Sequence, residues 1–261
     1  MRTWQMGVIT LGSAILFFGG MILFQELGWR YGRRKRARTG GETDSANGLV
    51  DNAVFGLLGL LLGFTFSGAG GRFDHRRELV GRMVNATGTA WQRIDLLPQH
   101  MQDSVRAPFR RYLDALLESY TSTELPADLY REPPQAARAA AETWSRAVTA
   151  CSTPEGEPAR MLLLPALNDM FGAVEDERLA RRIHPPLVVF GTLGLTAIAA
   201  ALLGGFAVAA RADRDWVHRI GVAATIALAV FVILELEYPR LGLVRVGSMD
   251  QALTDLRATM R

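Results

Sequence analysis

The chain has 261 residues, of which 49% are hydrophobic, and a mean hydropathy of +0.12, a balance unusual for a soluble domain. Its net charge of +3 is small but unevenly spread. Cys151 is the sole cysteine, which excludes an intramolecular disulfide, a multi-cysteine zinc site and an iron–sulfur cluster.

Met1–Thr10 lack the small-residue cleavage pattern of a signal peptide, and the apolar run to Phe24 is too long for its hydrophobic region. Residues 1–27 therefore read as an uncleaved first transmembrane helix. Residues 28–50 read as a basic and glycine-rich loop, into which Arg30, Arg33, Arg34, Lys35, Arg36 and Arg38 crowd. Directly after a membrane helix, such a run signals topology rather than nucleic-acid binding. Asp51 and Asn52 stand where a helix N-cap is wanted, and residues 51–71 form the second transmembrane helix. Its stretch Ala53–Gly71 carries no charge, and no proline intervenes from Asn52 to Leu97. One helix is thus expected to cross the lipid and continue into water.

Within this span Gly59, Gly63, Ser67 and Gly71 recur every four residues, a stripe of small side chains suited to close helix packing. Leu58, Leu62 and Phe66 form an adjacent bulky stripe, the expected constriction if the chain assembles into a pore.

Residues 72–184 read as a helical extramembrane domain inserted between the second and third spans. Phe73, Val80, Val84, Thr87, Trp91 and Ile94 recur at helical steps. A helix over Gln102–Tyr120 buries Val105, Phe109, Tyr112, Leu113, Leu116 and Tyr120. Another over Gln135–Ala150 presents Ala137, Ala140, Trp144 and Val148. A third over Ala159–Arg182 presents Leu163, Leu167, Met170 and Val174, with Pro165 as a kink. Cys151 is expected beside an exposed turn at Ser152–Pro158.

Pro185 and Pro186 mark the return to the membrane. Residues 185–210 are the third span, with small stripes Thr192, Thr196, Ala200, Gly204 and Ala197, Ala201, Gly205, Ala209. Residues 211–219 are a short loop. Residues 220–238 are the fourth span, with Gly221, Thr225 and Ala229, and residues 239–261 a C-terminal tail. The fold class expected is an all-α membrane protein.

Four spans put the ends of spans two and four and the start of span three on one side. Arg72, Arg76, Arg181 and Arg182 would then lie level with Glu235 and Glu237. They would serve either as ion pairs that pin the domain or as a charged vestibule at a pore mouth. The spans hold no acid or base at mid-depth, which argues against a proton-coupled pump. There is no Walker loop, HExxH or GxSxG, and His75, His100, His184 and His218 show no ligand spacing. No enzyme activity, cofactor or metal is expected.

Several stretches, in order, resemble the bestrophin-like domain family of bacterial membrane proteins over about residues 5–255. They are FGLLGLLLGFTFSGAGGRFDHRREL, an amphipathic helix ending at IDLLP, a helical body, two close spans and ELEYPRLGLVRV. The most specific features are the span that runs into Arg72–Arg77 and the spacing of Glu235, Glu237, Pro239 and Gly242. In the family a carboxylate often precedes the Asn-Ala pair, whereas Met83 and Val84 stand before Asn85 and Ala86 here. Bestrophins proper are oligomeric anion-permeable channels with a helical cytosolic body and a pore lined by the second span. The resemblance implies a homo-oligomer in a bacterial inner membrane, in contact with lipid and passing small ions, with Leu58, Leu62 and Phe66 at the constriction. The alternative is a membrane-anchored interaction or sensor protein without a pore. Topology divides the two: counting Arg211, Arg214 and Arg219 with the basic loop places that side in the cytoplasm and the helical domain outside, whereas bestrophins keep the domain inside.

Overall fold

A computed structural model of the chain describes residues 3–39, 46–121, 133–210, 216–238 and 247–260, and all regular structure among them is helical. In chain order the helices are α1 (Thr3–Thr39), α2 (Ala46–Arg93), α3 (Gln99–Thr121), α4 (Pro134–Cys151), α5 (Arg160–Arg182), α6 (Leu187–Ala207), α7 (Trp216–Glu237) and α8 (Gly247–Thr259), with short 3₁₀ turns between some of them. Four of these, α1, α2, α6 and α7, contain stretches long and apolar enough to cross a membrane. The chain divides into two units, Met1–Phe73 with Pro185–Val244, and Asp74–His184 with Arg245–Arg261.

In the first unit α1 packs along both α6 and α7. Close approach rests on small residues: Ala197, Ala200 and Ala201 of α6 and Ala223 of α7 are buried against Met21 and Leu58. The tightest point joins α1 to α6. A Cβ at Gly28 would overlap the Leu202 carbonyl, and one at Gly205 the Gln25 carbonyl, so only glycine admits backbone against backbone at both places. Of the expected stripes in the third span, the one through Ala197, Ala201, Gly205 and Ala209 is the packed one. Gly221 and Thr225 of α7 are exposed.

The basic segment departs from expectation. It continues α1 as helix to Thr39, rather than forming a loop from residue 28. Arginine and lysine are good helix formers, and cations at a helix C-terminus complement its dipole. Two of them also lie on aromatic faces: Arg33 is 5.0 Å from the Trp29 ring centre and Lys35 is 5.6 Å from that of Phe206. The glycine-rich stretch at 40–45, the 211–215 loop, Pro239 and Gly242 lie outside the described residues.

The second unit has a core built from α2, α3, α4, α5 and α8. On α2 the buried line is Val80, Met83, Thr87 and Ala90, continued by Ile94 in the 3₁₀ turn that follows, with Val84 and Trp91 at its edge. Val105, Phe109, Tyr112, Leu113 and Leu116 of α3 are buried as expected, and Tyr112 meets Phe171 edge-on at 5.4 Å. Leu163, Leu167, Met170 and Val174 of α5 are buried too.

Helix α4 is rotated from its expected face. Ala136, Ala139, Thr143, Ala147 and Ala150 are buried, whereas Ala137, Trp144 and Val148 are exposed. Small residues let α4 approach α3 closely, so the bulky ones are turned outward. Cys151 continues the buried line at 2% exposure rather than standing at an open turn. The expected C-terminal tail contains α8, which packs on α3, buries Leu253 and Met260, and holds Asp114 through a two-pronged contact from Arg257.

Candidate functional site

Helix α2 has two sides. Leu58, Thr65 and Ala69 face the core of the first unit, with the Thr65 hydroxyl donating to the Leu61 carbonyl at 2.7 Å. Asn52, Gly56, Gly59, Gly63 and Ser67 lie exposed at steps of four, three, four and four. A Cβ at Gly56, Gly59, Gly63, Gly70 or Gly71 would meet nothing within 4 Å. No helix among the described residues covers the stripe Gly59, Gly63, Ser67 and Gly71. Phe64 and Phe66 project beside it, exposed at 68% and 47%.

The bulky row does not share one environment. Leu58 is 2% exposed and belongs to the core, Leu62 is half-buried and Phe66 is exposed. Each four-residue step advances about 40° around a helix, so the row turns from core to surface between Leu58 and Phe66.

Four of the six charged residues, Arg72, Arg76, Arg181 and Glu237, have partners within their own units. In the first, Arg72 Nε and Nη2 each lie 2.9 Å from Glu237 Oε2. Glu237 is fully buried and Glu235 nearly so, while the Arg72 side chain keeps 29% of its surface. Gly68 makes room for this arginine: a Cβ there would come within 3.2 Å of Arg72 Nη1. In the second unit Arg76 donates to the Ile183 carbonyl at 2.9 Å and the Ala180 carbonyl at 3.3 Å, satisfying the open C-terminal end of α5. Arg181 binds Glu177 and lies 4.7 Å from the Tyr120 ring centre. Arg182 is exposed. Among the described residues no group of three or more His, Cys, Asp or Glu is placed to hold a metal.

Two contacts escaped the sequence reading. The Gly28–Gly205 approach was signalled by Gly28 and Gly32, four apart, but the expected loop boundary cut them off from α1. Helix α8 was signalled by Leu253, Leu256 and Met260 at helical steps, too short a run to stand out.

Between Asp51 and Arg72 the exposed side of α2 carries no ionisable side chain; its polar groups are the Asn52 amide and the Ser67 hydroxyl, and the rest is glycine and apolar side chains.

A sequence model of the bestrophin-like domain matches residues 16–249. No curated protein matches the chain. Solved structures of a bacterial bestrophin homologue from Klebsiella pneumoniae, here as single-substitution variants, share the fold. One superposes with a TM-score of 0.68 at 14% identity over 96% of this chain and 98% of its own. Another does so at 0.65 and 17% identity over 95% and 100%. A third gives 0.64 and 18% identity over 93% and 98%.

Proposed function

The chain belongs to the bestrophin-like domain family, and from that premise we propose that it is a homo-oligomeric ion channel of a bacterial inner membrane, with α2 of each copy facing the conduction path. The observation that supports this reading is the uncovered line Asn52, Gly56, Gly59, Gly63 and Ser67. Within one chain the small residues of α6 and the glycine pair Gly28 and Gly205 are used for packing, whereas those of α2 are left open. Copies arranged around an axis would turn that line inward and give a narrow lumen walled by backbone and small polar groups.

In this reading Phe66 supplies the narrowest apolar ring, Phe64 stands on the opposite flank of the small-residue line, Leu62 lies nearer the core, and Leu58 supports the wall from behind. Arg72 and Glu237 fix the end of α2 against the end of α7, so that the lining helix keeps its rotation. The four apolar helices cross the bilayer, and the second unit is the helical domain that leaves it between the second and third spans.

The test is conductance in planar bilayers from the purified oligomer. Ion-selective currents that scale with oligomer added support the proposal. A strictly monomeric protein that passes no ions overturns it, and favours a membrane-anchored protein that binds a partner through its helical domain.

A further inference from the structure

At one end of the first unit lies a cavity of about 300 Å³, at the small end of the range for ligand pockets. It opens where the apolar run of α1 ends, that of α2 begins, that of α6 ends and that of α7 begins. Phe55, Val208 and Val222 give it apolar walls, and Gln25, Asp51, Asn52, His218 and Arg219 supply polar groups. This place is remote in sequence from the Arg72–Glu237 end of the same helices.

Three buried polar atoms here have no hydrogen-bond partner among the described residues: Arg219 Nε, Arg219 Nη2 and Gln25 Oε1. Arg219 is 4% exposed and Gln25 5%. Leaving such groups unpaired is costly, the more so where charge is involved, so a polar occupant is favoured. Arg219 is held in place by Nη1, which donates to Glu26 Oε2 at 3.0 Å, and by Trp216, whose ring centre is 4.8 Å away. Nε and Nη2 form the side edge of the guanidinium, the two-donor fork that suits a carboxylate or phosphate. Asp51, also buried, has no ion-pair partner among the described residues.

Charge narrows the occupant further. Glu26 also binds Arg30 at 2.8 Å, so Arg30, Arg219, Glu26 and Asp51 sum to zero. A lone anion would meet Asp51, and a lone cation would meet Arg219. We propose that this cavity binds a zwitterion, with an oxyanion on Arg219 Nε and Nη2, an ammonium on Asp51 and the Gln25 side-chain carbonyl, and its short carbon chain against Phe55 and Val222. Trp216, half exposed next to the cavity, is the residue type that sits at the headgroup level of a bilayer. The same chemistry reaches that level from two sources, the headgroup of phosphatidylethanolamine and a free amino acid.

Binding is read on the delipidated full-length protein by calorimetry, independently of any conductance. The probes are sn-glycero-3-phosphoethanolamine and β-alanine, with ethanolamine and inorganic phosphate as half-ligands. At least one zwitterion should bind about tenfold or more tighter than either half, and Asp51→Asn and Arg219→Lys should each weaken it about tenfold or more. Asp51→Asn keeps the test decisive if Arg219→Lys disturbs the Glu26 pair. Native mass spectrometry then separates the sources. Retention of phosphatidylethanolamine over phosphatidylglycerol, lost in Asp51→Asn, assigns the site to the lipid. Binding of β-alanine without that retention assigns it to a free amino acid. No zwitterion binding, equal binding by Asp51→Asn, or inorganic phosphate binding as tightly as the zwitterions overturns the proposal.

Discussion

Arg72 closes on Glu237 across a sequence separation of 165 residues, joining α2 to the last turn of α7 at 2.9 Å with the carboxylate wholly out of solvent. Removing the cation from a buried ion pair costs about 3–5 kcal/mol, reduced here because Arg72 is partly solvated. Arg72→Met should therefore lower stability by about 2–4 kcal/mol, read as a fall in Tm in detergent. Adding Glu237→Leu should recover part of the loss, since replacing both charges removes the buried carboxylate along with its cation.

Gly28 and Gly205 set the distance between α1 and α6. A side chain at either meets a carbonyl on the opposite helix, and backbone cannot yield as a flexible side chain does. Gly205→Val should abolish the folded peak in size-exclusion chromatography of the fluorescently tagged protein. Gly59→Ala and Gly63→Ala, which meet open space, should leave that peak intact.

Cys151 should resist modification in the native protein. It is buried, and burial pushes its thiol pKa up, with Arg160 pulling partly the other way, so less thiolate forms at neutral pH. A membrane-impermeant maleimide should label it at least about tenfold more slowly than a cysteine placed at the exposed Glu155 in a Cys151→Ala background. Labelling of that second variant in intact spheroplasts, against lysed ones, reads the side of the membrane on which the helical domain stands.

Helix α8 belongs to the core of the second unit. Leu253→Ala should cost about 2–4 kcal/mol, as other buried leucines do. Truncation after Val244 should cost more, because it also removes the Arg257–Asp114 contact. Thermal unfolding of both variants checks the order.

Much of this architecture is legible from periodicity alone. The buried lines of α3 and α5 are long, strongly apolar and bounded by proline, and burial follows them. Helix α4 shows where the method fails: its bulky Trp144 and Val148 and its small Ala136, Ala139 and Ala147 give two plausible faces one residue apart. The choice between them is made by how closely α3 approaches, which is not a local property. The basic segment shows another limit, since charge marks a membrane boundary and says little about where a helix ends. On α2 the small stripe was legible, but whether a neighbour within the chain covers it was not. Leu58, Leu62 and Phe66 looked like one row because a spacing of four nearly repeats the helix, and the residual rotation separates core from surface.

The most direct test of the account is single-channel recording from reconstituted oligomer carrying Gly63→Trp, beside Leu195→Trp on the exposed surface of α6 as a control for bulk. If α2 faces the conduction path, the wild type and Leu195→Trp conduct alike, and Gly63→Trp assembles normally but loses its conductance. Conductance unchanged by Gly63→Trp, in an oligomer that still forms, would contradict a pore lined by this face.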